Sequence, residues 1–142
     1  MTRSGFVALC LAVFISLPYV RMDAHEARYA GAAAETAKED FRHAVMLFDR
    51  GMYDRAMVIF DALAEKNDDY QAEGYSVLCQ ILLQTGDCGH RVREYAGRYP
   101  YSWLLPQIRY RYALDLFDKD DYEGAAAEFA MISRARLHRD QA

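Results

Sequence analysis

Long apolar runs, dense basic clusters and strand-like alternation of apolar and polar residues are all scarce in this chain of 142 residues. The single long apolar stretch, near the N-terminus, excludes a protein with several membrane spans. A formal net charge of −4, without a dense cluster of lysine and arginine, argues against a dedicated nucleic-acid binder. Hydrophobic residues still make up 53% of the chain, which excludes disorder and suffices for one globular domain or a few small repeats.

Groupings of residues that support catalysis or metal binding are also missing. The four histidines lie in separate segments, and none has a second histidine or a cysteine three or four positions further on. They are His25, His43, His90 and His138. The sequence has no glycine-rich phosphate loop and no Ser/His/Asp or Cys/His set that its helical segments would bring together. We therefore predict no catalytic residues, no metal site, no cofactor and no enzymatic activity.

Residues 1–24 have the three parts of a secretory signal peptide. Arg3 supplies the positive end, residues 6–17 form an uncharged apolar run, and Pro18 interrupts that run before a more polar tail. Even counted to Val20 the run has 15 residues, fewer than the ~20 that span a bilayer as a helix. We predict cleavage after Ala24 and export. An uncleaved N-terminal anchor is the alternative.

Export would place Cys79 and Cys88, the two cysteines after the signal segment, in an oxidising compartment. An even pair permits a disulfide. The alternative is that both are small, buried helix residues without a bond between them.

Apolar residues recur at helical spacing through the rest of the chain. In residues 41–48, for example, positions 41, 44, 45, 47 and 48 are apolar, and a turn with Gly51 follows. The pattern predicts an all-α protein with six helices, at about 34–50, 53–66, 70–85, 88–98, 104–118 and 121–135.

Four columns of residues repeat with a common period of 34 or 35. They are a turn, a small residue in the helix before it, an apolar residue three positions after the small one, and an aromatic residue in the helix after the turn. The turns begin at Gly51, Gly86 and Asp120; the small residues are Ala44, Cys79 and Ala113; the apolar residues are Leu47, Leu82 and Leu116; the aromatic residues are Phe60, Tyr95 and Phe129.

This pattern resembles the tetratricopeptide repeat (TPR) family, in which a Gly-x-Tyr turn precedes an Ala-x-x-x-Phe motif. The best matches are residues 51–56 with Phe60 and residues 121–125 with Phe129. The resemblance implies antiparallel helix pairs stacked as a right-handed superhelix, an α-solenoid of about three repeats. It divides the chain into a signal peptide (1–24), a helical lead-in (25–35), a TPR domain at 36–136 with repeats at about 36–69, 70–103 and 104–136, and a tail (137–142).

The second helix of the middle repeat fits the pattern in two registers. In the 35-residue register, Arg91 takes the position of a small residue. In the other register Cys88 takes it, and Val92 and Tyr95 point inward. The sequence leaves both registers open.

The segment Tyr99-Pro100-Tyr101-Ser102 is similar to a junction between repeats in bacterial cell-envelope TPR proteins, such as those of the Tol system and the Bam complex. Pro100 disfavours helix at the residue before it. Ser102 is suited to cap the next helix, and Pro106 fits only in that helix's first turn. The resemblance implies a periplasmic or cell-envelope location, with membrane contact only through the N-terminal segment.

In TPR proteins the first helix of each repeat lines a ligand groove. Transferred residue by residue, the family pattern implies a partner-binding groove lined by Phe41, Val45, Phe48, Ser76, Gln80, Leu83, Tyr110, Leu114 and Phe117. This largely apolar stripe suits an extended peptide or an amphipathic helix of a partner protein. The alternative is that the stripe belongs to the core. The Lys and Asn residues that hold a terminal carboxylate in chaperone-binding members are absent from these positions.

The resemblance therefore predicts an exported protein-binding scaffold of the bacterial cell envelope, with a preformed groove and no catalysis of its own. Two alternatives stay open. One is a structural spacer that buries the stripe by self-association. The other is the N-terminal part of a longer TPR-containing envelope or signalling protein, because residues 137–142 resemble a connector into a further repeat.

Overall fold

The computed structural model describes residues 24–139, so the signal-peptide prediction falls almost wholly outside the described residues. This part of the chain contains six α-helices and no strand. The helices are α1 (Ala24–Asp49), α2 (Tyr53–Asn67), α3 (Tyr70–Leu83), α4 (Cys88–Arg98), α5 (Leu105–Asp118) and α6 (Tyr122–Arg139). The predicted all-α class is confirmed. Between residues 24 and 139, no helix combines the length and apolarity that crossing a bilayer requires.

The helix bounds differ from the predicted ones mainly at the outer ends of the array. α1 begins at Ala24, ten residues before the predicted start, and so includes the helical lead-in expected at 25–35. This part of the chain is rich in alanine, the residue with the highest helix propensity. α3 ends at Leu83, two residues early, since Gln84 adopts a left-handed conformation (φ 53°). The Gln84 N–H still bonds to carbonyls of the last turn, which is a common way to end a helix.

Two of the three repeated turns share one backbone geometry. Gly51 and Asp120 are left-handed (φ 77° and 63°), and in each turn that residue and the next one donate N–H bonds back to the preceding helix. In the middle turn Gln84 (φ 53°) and Thr85 make the corresponding bonds, and Gly86 (φ 63°) is a second left-handed residue. Glycine adopts this conformation without steric cost, and aspartate is one of the few other residues that tolerate it. The sequence period therefore corresponds to one turn geometry in the first and third turns, and the middle turn differs.

Aspartate side chains begin three of the helices. Asp69, before α3, accepts from the N–H groups two and three residues further on, at 2.9 and 3.2 Å. Asp87, before α4, and Asp121, before α6, each accept from the N–H three residues further on, at 2.9 Å. These bonds satisfy N–H groups that have no partner within the helix. The acidic turn around Asp121 is thus a helix start, as predicted.

The core consists of two clusters that share α3. One surrounds Phe60 and fills the space between α1, α2 and α3. The other surrounds Tyr95 and fills the space between α3, α4 and α5. Each helix packs against the next one in the chain, and α3 also packs against α5. The four alanines predicted at close helix approaches are all buried: Ala44, Ala56, Ala113 and Ala125.

The middle repeat takes the second of its two predicted registers within α4. Cys88, Val92 and Tyr95 are buried, whereas Arg91 is half-buried at the rim of the helix. Gly89 is also buried, and a Cβ there would collide with the Tyr112 hydroxyl of α5. α4 therefore approaches α5 most closely through its first turn.

Candidate functional site

The α1 residues of the predicted groove are part of a core cluster. Phe41 and Phe48 pack edge-on against Tyr75 of α3, with ring centroids 5.9 and 5.3 Å apart. Phe41 also meets the Phe60 ring at 5.6 Å, and Val45 packs against the same cluster. All three groove residues are half-buried. The structure brings them together around Tyr75.

The α3 residues of the predicted groove lie in a polar network. Ser76 is completely buried, donates a hydrogen bond to Asp61 of α2 and accepts one from Arg91 of α4 at 3.2 Å. Gln80 accepts a second bond from Arg91, also at 3.2 Å. Arg91 and Asp61 form an ion pair at 3.5 Å. Ser76 and Gln80 therefore face α2 and α4, and they tie these helices to α3.

The α5 residues of the predicted groove are the most open. Tyr110 and Phe117 are 49% and 53% exposed. Tyr110 meets Phe129 of α6 at 5.9 Å, and Phe117 meets Tyr122 at 5.1 Å. The two leucines of the predicted set are half-buried: Leu83 and Leu114. Seven of the nine predicted residues thus divide among a core cluster, a polar network and an exposed aromatic surface, and the two leucines belong to none of these.

A cleft of about 540 Å³ lies between the α4–α5 loop, the start of α5 and the end of α6. It is referred to below as the loop cleft. Apolar side chains form most of its described walls, namely Pro100, Tyr101, Leu105, Pro106, Met131 and Ile132. Arg109 contributes a charged group to the lining. Clefts with mainly apolar walls and few polar groups are the usual sites of ligand binding.

Two aromatic side chains of the loop are exposed to solvent, and one of them, Tyr101, lines the loop cleft. Tyr101 is 98% exposed and Trp103 is 55% exposed. Tyr101 also borders a second hollow of about 370 Å³, whose walls include Tyr70, Tyr99 and Trp103. The Tyr101 ring therefore separates two concave surfaces, and a ligand could contact it on both sides.

The loop is fixed by a hydrogen-bonded tyrosine beneath it. Tyr95 is completely buried, and its hydroxyl donates to the carbonyl of Tyr70 at 3.0 Å. The Ser102 hydroxyl bonds to the hydroxyl oxygen of Tyr95 at 2.8 Å. Burial raises the pKa of Tyr95, so this hydroxyl stays protonated and available to donate.

Ser102 does not cap α5 in the way the sequence predicts. The N-cap position is Leu104, whose side chain makes no capping bond. The Ser102 hydroxyl instead accepts from the Leu104 N–H at 3.2 Å, two residues before the helix. Pro106 lies in the first turn of α5, as predicted. The Ser102 hydroxyl therefore bonds to both Tyr95 and the Leu104 N–H, and α5 starts at Leu105, one residue after the predicted start.

Ion pairs flank the loop cleft on both sides. Arg109 donates to Glu128 of α6 at 2.6 Å, with both side chains largely buried. Arg98 donates to both carboxylate oxygens of Glu73 at 3.0 Å and to Asp68 at 3.3 Å. The first pair joins α5 to α6, and the second joins α4 to α3 and to the turn before it. Charge-assisted hydrogen bonds of this kind fix the helices on which the two ends of the loop lie.

Tyr101 and Trp103 were not predicted as site residues. The family pattern places the predicted groove on the first helix of each repeat. A signal for the loop was nevertheless present, because connections between helices run over the surface and residues 99–103 of this one include three aromatic side chains. These residue types are also the ones enriched at the energetic centres of protein interfaces.

Both cysteines of the described chain are free, buried thiols. Cys79 lies in the Phe60 cluster and Cys88 in the Tyr95 cluster, so they belong to different parts of the core. Burial, with a smaller effect from Asp61, raises the pKa of Cys79 to about 12. Burial and the Asp115 carboxylate raise the pKa of Cys88. Neither is an activated nucleophile.

We predict that Cys79 and Cys88 resist iodoacetamide at pH 8 in the native protein and react fully once it is unfolded. In the folded protein both thiols have pKa values above the unfolded value of ~8.5, so the folded state holds their protons more tightly than the unfolded state does. The resulting stabilisation is fully present below about pH 8.5 and is lost as the pH rises toward 12. The free energy of unfolding should therefore fall between these two pH values. Peptide mass mapping after alkylation measures the first effect. Labelling of either residue at the rate of a free thiol would contradict the assignment.

Between residues 24 and 139, no three histidine, cysteine or acidic side chains lie close enough to hold a metal ion. Comparison with family models, curated proteins and solved structures finds no match. The geometry of the loop cleft and its exposed aromatic side chains are therefore the strongest basis for a functional assignment.

Proposed function

We propose that this protein is a protein-binding scaffold of the bacterial cell envelope, which holds a peptide or helix of a partner protein at the loop cleft. In this proposal the helix pairs stack as a right-handed TPR-type solenoid of about three repeats. The N-terminal segment directs export, and the protein contributes binding and no catalysis.

The exposure of Tyr101 and Trp103 beside an apolar cleft is the observation that supports binding most directly. Tyrosine and tryptophan supply large contact areas, lose little conformational entropy on binding, and dominate the energetics of many interfaces. Here the backbone that presents them is anchored by Tyr95 and Ser102 and restricted by Pro100. A surface that is already ordered loses less free energy when a partner binds.

Two further observations support the architectural part of the proposal. The left-handed turn residue recurs at Gly51, Gly86 and Asp120, and the preceding small residue is buried in each helix pair. In stacked repeats, the residues that recur at such positions are buried where neighbouring helices meet. Support for export comes from the composition of residues 1–24 alone.

We expect the double substitution Tyr101→Ala/Trp103→Ala to weaken peptide binding about 30-fold or more, because truncating hot-spot residues costs at least ~2 kcal/mol. Helical content and thermal stability should remain unchanged, since both side chains are exposed. The ligands are peptides selected from a displayed random library against the full chain. Their dissociation constants are then measured by fluorescence anisotropy with wild-type and variant protein.

The control is Tyr110→Ala/Phe117→Ala, which removes two half-exposed aromatic residues from α5. These are residues of the predicted groove, so the two variants compare two candidate surfaces. Loss of binding in the control variant, with binding retained in the loop variant, would contradict the loop-cleft assignment. Sedimentation equilibrium of the same proteins examines self-association, and a dimer that the control variant dissociates would favour the structural-spacer alternative.

A further inference from the structure

We infer that the loop cleft selects an acidic partner segment, in which apolar side chains enter the cleft and carboxylates lie at its rim. This inference rests on the proposed function and adds the chemistry of the partner.

The two chain segments that line the cleft carry positive charge and no acidic residue. Residues 100–109 supply the loop and the start of α5, and they contain one arginine, Arg109. Residues 131–135 of α6 also contain one arginine, the exposed Arg134. The remainder of the chain holds 15 basic and 21 acidic residues. The segments that line the cleft are therefore basic, whereas the chain as a whole is acidic.

Arg109 is the charged residue of the cleft lining. Its guanidinium has five N–H donors, and one of its nitrogens donates to Glu128. Glu128 is not part of the cleft lining; it borders a different hollow, between α4, α5 and α6. Arg109 therefore lies between an acidic neighbour on one side and an apolar cleft on the other. A partner carboxylate at the cleft would meet a largely desolvated guanidinium, where charge-assisted hydrogen bonds are strong.

The apolar walls argue for a peptide rather than a polyanion. Leu105, Met131 and Ile132 offer no donors to phosphate groups, and a cleft of about 540 Å³ leaves room for two or three apolar side chains. The exposed Arg111 and Arg134 steer acidic segments toward this end of the molecule.

The test uses the full chain and three labelled peptides of equal length. The first alternates leucine and phenylalanine with aspartate, and the other two replace every aspartate by asparagine or by lysine. Binding is followed through the fluorescence anisotropy of the peptide label, because the Tyr101→Ala/Trp103→Ala variant lacks the single tryptophan of the chain. We expect the aspartate peptide to bind about tenfold tighter than the lysine peptide, a difference of ~1.4 kcal/mol. Added salt should shrink this ratio, because it screens exposed charges.

The matched variant is Arg109→Gln/Glu128→Gln, which removes both charges together and leaves neither partner unpaired. It should reduce the preference for aspartate over lysine by several-fold while retaining binding of the asparagine peptide. The control is Arg55→Gln, an exposed arginine on α2 outside the lining of the cleft. That control should leave the preference unchanged.

The possible outcomes separate this inference from the proposed function. Equal or tighter binding of the lysine peptide, still sensitive to Tyr101→Ala/Trp103→Ala, would overturn the inference and leave the proposed function standing. Displacement of the aspartate peptide by inorganic polyphosphate, with no sensitivity to the loop variant, would show general anion binding and overturn it as well. If library selection also finds no ligand at the cleft, the proposed function fails together with the inference.

Discussion

Replacing Phe60 by alanine is expected to lower the free energy of unfolding by about 3–5 kcal/mol. Phe60 is completely buried, stacks on Tyr75 with centroids 5.0 Å apart and meets the Phe41 ring at 5.6 Å. Its removal leaves a cavity at the centre of the α1–α3 cluster, and the helices on three sides prevent the space from closing. Since small domains have 5–15 kcal/mol of total stability, this substitution should remove a large part of it. Urea denaturation followed by circular dichroism measures the effect.

The repeat provides a control at the equivalent position of the last helix pair. Phe129 is half-buried and has one described aromatic neighbour, Tyr110 at 5.9 Å. We expect Phe129→Ala to cost about 1–2 kcal/mol, within the ordinary range for substitutions. Equal losses from both substitutions would mean that the two positions are equally enclosed, which the described packing does not allow.

Adding a methyl group at Gly74 is expected to destabilise the protein by about 1–3 kcal/mol, although alanine favours helix more than glycine does. A Cβ at this position in α3 would lie 2.6 Å from the Tyr95 hydroxyl and 2.8 Å from Cδ1 of Leu104. Both neighbours are completely buried and cannot move aside. Because Tyr95 anchors the loop through Ser102, Gly74→Ala should also weaken peptide binding at the loop cleft.

The control for this prediction is Gly97→Ala in α4. A Cβ there would have no atom within 4 Å, so only the gain in helix propensity remains. We expect a stabilisation of about 0.5 kcal/mol. Thermal unfolding of the two variants should therefore shift in opposite directions. A stabilised Gly74→Ala protein would show that α3 and the loop are less closely packed than described.

Local sequence signals predicted the helices and the turns well. Apolar periodicity and turn residues are signals that involve only residues close together in the sequence. The six helices and the left-handed turn residues at Gly51, Gly86 and Asp120 therefore follow from them directly. The burial of Phe60 and Tyr95 also follows, because an aromatic residue at a fixed place in each repeat must pack between neighbouring helices.

The site was less predictable because it depends on contacts between distant residues. Ser76 faces α2 and α4 because Asp61 and Arg91 bind its hydroxyl, and no local pattern around Ser76 indicates those partners. The loop cleft needs the start of α5 and the end of α6 to meet, which the Arg109–Glu128 pair secures across 19 positions of sequence. Exposure of Tyr101 likewise depends on how Tyr95 anchors the loop from beneath.

The most direct test of the proposed binding site is the amide chemical-shift map of the isotope-labelled full chain on addition of a selected peptide. Binding at the loop cleft predicts that the largest shifts fall at residues 100–109 and 131–135, with little change along α1. The largest shifts at residues 41–48 and 110–117 instead would place the ligand in the groove that the family pattern implies, and would contradict the loop-cleft account.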